Sequence, residues 1–122
     1  MRRCYCKTNA AVLIALAAVA NVATAQNYPA KPVRFIVPYA AGGGVDIVTR
    51  TLAQKLTELF GQSVVVENRP GGNTNIGSEA VARAAPDGYL LLMASPANAV
   101  NGSLCAKLPY DTLRDFAPVS LI

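Results

Sequence analysis

The sequence predicts a parallel α/β sheet, and three observations carry that prediction. Apolar, β-branched runs alternate with helical patterns from residue 33 onward. The helical stretches are amphipathic at a period near 3.6 residues. Each of the first three strand-like runs is followed by a polar loop, so all three loops belong on one edge of the sheet.

The polar, proline-bearing "QNYPAKP" (26–32) reads as an extended lead-in to the first strand, "VRFIV" (33–37). Val48, Leu52, Leu56, Leu59 and Phe60 then form an apolar stripe opposite Arg50, Gln54, Lys55 and Glu58. That spacing predicts a helix over about 45–60, ended by Gly61 in the C-terminal glycine position. "SVVVEN" (63–68) is an almost unbroken β-branched run, the pattern of a strand buried on both faces. After the glycine-rich "RPGGNTN" (69–75), Ile76, Ala80, Val81 and Ala84 support a short helix that Pro86 stops. "PDG" (86–88) makes a turn into a third strand, "YLLLMA" (89–94). "SPANAVNGSL" (95–104) is a third polar loop opening a helical turn, and "VSLI" (119–122) reads as the start of a fourth strand. Strands alternating with helices in this order imply right-handed crossovers.

The first 25 residues stand outside this pattern. Arg2, Arg3 and Lys7 precede the apolar run 10–20, and "ATA" (23–25) supplies a small-x-small cleavage signature. Together they predict a secretory signal peptide over 1–25, cleaved near Ala25, and an exported, periplasmic chain. The apolar run is about half the ~20 residues a membrane-spanning helix requires. Removing the signal leaves 8 basic against 7 acidic residues, a net charge of +1 in place of +4. The apparent basicity therefore belongs to the export signal, and a nucleic-acid partner is not expected. Cys4 and Cys6 fall within the signal, which leaves Cys105 without an intramolecular disulfide partner. The chain has no histidine, so Cys/His zinc sites and His-based triads are excluded within it.

"PYAAGGGVDIVTR" (38–50) places three glycines between a strand and a helix N-terminus, where backbone N–H groups favour an anion. A phosphate loop would need Lys-Ser or Lys-Thr after the glycines, and a dinucleotide fingerprint would need glycine where Ile47 stands. An organic anion fits better: two or three hydrogen bonds to a charged group, with apolar burial, reach about 8 kcal/mol, a micromolar affinity. No cofactor is expected. Asp46 either caps free N–H groups from the side or faces the ligand and reads a donor on it. Glu67 and Arg69 suit a structural ion pair, and Asp111 with Asp115 a solvated face. Ser95 and Ser103 have no base partner for nucleophilic chemistry, so no enzyme activity is expected. Tyr39 suits either a cleft wall or simple packing.

"YPAKPVRFIVPYAAGGGVDIVTRTLAQKL", "GQSVVVENRPGGNTNIGSEAVARAAPDGYLLLM" and "LCAKLPYDTLRDFAPVSLI" resemble the tripartite tricarboxylate transporter substrate-binding proteins, or Bug family, from Tyr28 to Ile122. The combination of strand-P-[FY]-x-A-G-G-x-x-D, E-N-[RK]-P-G and A-x-P-D-G-Y makes this resemblance specific. It implies a type II periplasmic binding protein, a two-domain Venus flytrap that closes on a small mono-, di- or tricarboxylate. Such a receptor acts as a monomer and passes its ligand to a membrane permease; a sensor for a membrane signalling partner, or an exported enzyme, are the alternatives. The resemblance carries ligand contacts onto Tyr39, Ala40, Gly42, Gly43, Gly44 and Asp46 in the first loop. In the second they fall on Gly72, Asn73, Thr74 and Asn75, and in the third on Ser95, Pro96 and Asn98. Gly102 and Cys105 depart from the usual family residues. Members are longer, so residues 26–122 are expected to be an incomplete N-terminal domain, truncated within the first domain, that binds solutes poorly alone.

Overall fold

A computed structural model describes residues 28–105 and 107–122. The expected signal peptide, with Cys4 and Cys6, lies outside the described residues. Six elements follow one another: β1 (Val33–Val37), α1 (Gly44–Phe60), β2 (Val64–Asn68), α2 (Asn75–Ala82), β3 (Leu90–Leu92) and α3 (Pro96–Leu104). The strands form one parallel sheet in the order β2-β1-β3. Val33 to Val37 pair with Val64 to Asn68, and Arg34 to Ile36 with Leu90 to Leu92.

The step from β1 to β2 and the step from β2 to β3 advance in opposite directions across the sheet. Right-handed crossovers in both therefore place α1 and α2 on opposite faces. β1 is consequently the strand covered on both sides. Val33, Phe35, Ile36 and Val37 are buried, and Arg34 alone reaches solvent. The sequence pattern assigned that position to β2, whose valines are the more continuous β-branched run. β2 instead lies at the sheet edge with Val65 exposed, because its run of valines reports β propensity and not position in the sheet.

α1 begins at Gly44 and ends at Gly61, whose φ of 64° lets its N–H close back on Thr57 O at 3.1 Å. Its expected apolar stripe is not the buried face. Asp46, Thr49 and Ala53 are buried, whereas Val48 and Leu59 are exposed. Small and polar side chains allow the helix to approach β1 and β2 closely, and the larger apolar ones flank that line.

β3 is shorter than the expected 89–94, although backbone bonds Arg34 N–H to Tyr89 O (2.8 Å) and Met93 N–H to Ile36 O (3.0 Å) extend its pairing at both ends. The "VSLI" segment forms no strand. It pairs with no other strand among the described residues, and Ile122 instead lines a shallow apolar groove with Ile47, Val48, Thr51, Leu52 and Lys55 of α1.

At the amino-terminal edge of the sheet, Tyr28 packs on Tyr89 (5.0 Å between rings) and edge-on to Phe60 (6.3 Å). Tyr28 Oη donates to Gly88 O (2.6 Å), and the Ala30 N–H donates to Tyr89 Oη (2.9 Å). Lys31 pairs with Asp87 (2.9 Å) over the Tyr89 ring. The "A-x-P-D-G-Y" turn is thus an anchor for the lead-in segment, on the edge away from the three loops.

Candidate functional site

Because the strands are parallel, the segments after Val37, Asn68 and Leu92 leave the sheet at one edge. Strand order reverses at β1, which opens a crevice between the loop after β1 and the loop after β3. The hydroxyls of Tyr39 and Ser95 hydrogen-bond to each other across it. Ser95 Oγ also accepts from the Ala97 N–H (3.2 Å). The two hydroxyls carry two protons and their mutual bond uses one, so the pair retains one spare O–H donor.

The first loop is braced from below by Asp46. Its carboxylate is buried and accepts from Gly42 N–H (2.8 Å), Arg50 Nε (3.0 Å) and Asn68 Nδ2 (2.9 Å). Asn68 Nδ2 also donates to Tyr39 O (3.1 Å), while its Oδ1 accepts from Arg50 Nη2 (2.9 Å). The Arg50 guanidinium, then the Gly42 and Asn68 donors, lower the Asp46 carboxyl from 3.8 to about 2. Asp46 therefore acts as the side brace, one of the two roles the sequence left open. Its charge is matched by Arg50, so it leaves little net repulsion toward an anion above the loop. Gly42 turns at φ 83°, a conformation that suits glycine.

The second loop is held by a buried polar web. Asn73 and Thr74 both have positive φ, 52° and 74°, which is rare for non-glycine residues and rarest for a β-branched one. Asn101, fully buried on α3, shares the two Nδ2 hydrogens among Asn73 O, Thr74 Oγ1 (3.1 Å) and Asn75 Oδ1 (3.2 Å), and accepts from Asn73 Nδ2. Asn98 Nδ2 donates to Ser78 Oγ (2.7 Å) and Thr74 Oγ1 (3.2 Å), and Tyr110 Oη to Asn75 Oδ1 (2.9 Å). Gly77 lets α2 reach the ends of β1 and β2, since a Cβ there would stand 2.9 Å from Pro38 Cβ and 3.0 Å from Arg69 O.

The three helix N-termini at this edge differ. α3 closes itself with a capping box: Ser95 and Asn98 each accept a backbone N–H from the other end of the first turn. α1 and α2, whose N-caps are Gly43 and Thr74, have no side-chain cap. The first N–H groups of α1 stay available to an exogenous acceptor, whereas Asn75 and Ile76 at the start of α2 already donate theirs to Gly72 O (3.1 Å) and Gly71 O (3.5 Å).

Of the residues the sequence singled out, Gly42, Gly43, Gly44, Ala40, Gly72, Asn73 and Pro96 are exposed at this edge, and Tyr39, Asn75 and Ser95 are half-buried. Asp46, Thr74 and Asn98 are buried, and their polar atoms are taken up inside the protein. Glu67 pairs with Arg69 (2.6 Å) as expected, and with Arg34. Asp111 and Asp115 are exposed, with the Asp111 N–H bound to Asp115 Oδ2 (2.7 Å). The reading of the loops missed Asn68, Ser78, Asn101 and Tyr110. Asn98 and Asn101 lie three residues apart, on one helix face, and that spacing was the available signal.

Strand order, crossovers and the gathering of loops where the order reverses are those of an open parallel α/β sheet, and the solved structures it superposes on assign it to the periplasmic binding protein fold. Residues 48–122 match the tripartite tricarboxylate transporter family receptors, and the chain belongs to that family. It is 43% identical over 113 residues to protein BugT of Bordetella pertussis, covering 91% of this chain and 35% of that protein. MatC from Rhodopseudomonas palustris, solved with bound malate, superposes with a TM-score of 0.69 at 32% identity, over 75% of this chain and 32% of its own. An R. palustris protein with adipate gives 0.67 at 33% identity, over 70% and 29%. The chain thus spans about a third of the length of these relatives.

Proposed function

We propose that this chain forms one jaw of a periplasmic receptor that captures a small organic carboxylate and delivers it to a tripartite membrane permease, without catalysis. The reading rests on one observation above the others. The uncapped N-terminus of α1 opens on the edge where the strand order reverses, beside the loop that leads into α2. Family membership and the malate and adipate held by relatives support the same ligand class. In this reading the first jaw surface is the backbone of Gly42, Gly43 and Gly44 with Ala40. Gly72, Asn73 and Asn75 form the second, and the Tyr39–Ser95 pair beside Pro96 gives the spare hydroxyl donor. Asp46, Thr74 and Asn98 act beneath them as supports.

Grafting residues 28–105 in place of the equivalent segment of MatC, followed by calorimetric titration with malate, tests the jaw. Retained binding, within about tenfold of the parent (~1.4 kcal/mol), is the expected result. A folded chimera with no detectable affinity for malate, adipate or citrate would remove the basis for this reading.

A further inference from the structure

The buried web joining the second loop to α3 points to a residue whose task is to set the shape of that loop. Asn73 and Thr74 are consecutive left-handed residues, and such a pair persists only where its surroundings over-determine it. Neither glycine nor a local side-chain cap does so here, because Thr74 caps nothing. The donors come from α3, about 27 residues further along the chain. The Asn101 amide lies against Asn73 O, Asn73 Nδ2, Thr74 Oγ1 and Asn75 Oδ1 at once. It is fully buried, whereas Asn73 itself is exposed and has water as an alternative partner. Gly102 lies next to it, facing Thr112 Oγ1 at 3.6 Å from where its Cβ would stand.

We propose that Asn101 is a positioning residue for the second jaw: it holds Asn73 and Thr74 left-handed and so keeps the loop and the start of α2 correctly placed. The ligand significance rests on the carboxylate reading above, but the positioning itself does not. α3 is capped by its own box, so it serves as a rigid anchor from which Asn101 reaches the less constrained loop. The Asn98 contacts to Thr74 and Ser78 reinforce that anchor from one turn earlier.

The test needs no ligand, so it can fail or succeed independently of carboxylate binding. Amide hydrogen exchange is measured by NMR in the 122-residue chain, its Asn101→Ala variant, and Asn101→Ala combined with Thr74→Gly. The N–H groups of Asn75, Ile76 and Ser78, which bond back to Gly72, Gly71 and Thr74, report the loop; those of β1 and β2 report the fold. Asn101→Ala is expected to lower protection at 75–78 by about tenfold or more while the β1–β2 amides keep theirs. Thr74→Gly, which adopts positive φ without help, is expected to restore most of it. Unchanged protection at 75–78 in Asn101→Ala overturns the proposal. So does a loss, local or global, that Thr74→Gly fails to relieve, since Asn101 would then matter only as a core residue. If Asn101→Ala unfolds the chain and the double variant refolds it, the proposal stands.

Discussion

α1 and α3 both start at the carboxyl edge of the sheet, yet they treat their first N–H groups in opposite ways. α3 begins with Ser-Pro and satisfies its own donors through Ser95 and Asn98. α1 begins after Gly43, which has no side chain to offer, at a φ of −75° that any residue adopts. The backbone there does not demand glycine, so its presence leaves donors open. A capping side chain contributes only about a few tenths of a kcal/mol over glycine, so α1 gives up little stability by leaving its donors open. One helix start is built for stability, and the other is left able to accept an anion.

The supports beneath these starts can be broken in turn. The largest effect is expected from Gly77→Ala. Alanine favours a helix by about 1 kcal/mol, but its Cβ would overlap Pro38 and Arg69 O. Net destabilisation of about 1–3 kcal/mol in urea melts is expected, and a stabilised variant would mean that α2 can move away from β1 at little cost.

Asp46→Asn comes next, because it removes the charge that gathers Gly42, Arg50 and Asn68. The carboxyl is lowered to about 2 in the fold, from 3.8. Its stabilising contribution is therefore complete above the ordinary carboxylate range and is lost as pH falls from about 4 through 2. Glu67 and Asp87, lowered by their partners Arg69 and Lys31, add to the same slope. The denaturation midpoint should fall less steeply with acid in Asp46→Asn than in the parent; equal slopes would assign the acid response to the other two.

Ser95→Ala opens the closed helix start and should cost about 1 kcal/mol, together with the Tyr39 contact. No change in melting would mean that Asn98 alone holds the turn. The smallest effect is the converse. Gly43→Ser should raise stability by a few tenths of a kcal/mol while weakening carboxylate binding in the chimera, as serine takes up α1's donors. Stability and affinity rising together would break the contrast between the two helix starts.

Much of the fold was legible in the sequence because each strand–loop–helix unit is local: Gly61, Pro86 and the β-branched runs mark their own boundaries. Sheet order was not, since β1 and β2 have similar patterns and only the three-dimensional pairing makes β1 central. The α1 face was misjudged for a related reason. Hydrophobicity located Val48 and Leu59, whereas close approach selected Thr49 and Ala53. In the site, glycines and motif residues were readable one loop at a time. The division of labour was not, because the atoms that occupy Thr74 and Asn75 belong to Asn98, Asn101 and Tyr110, 20 or more residues away.

The aromatic clamp at the opposite edge has a practical side. Tyr28 is pinned by Gly88 and Tyr89 at the foot of a five-residue strand. Any tag, tether or fusion joined ahead of it departs about 17 Å below the loops. Immobilising the protein through a short tether at Tyr28 on a sensor surface would therefore turn the edge that carries the three loops toward the bulk solution.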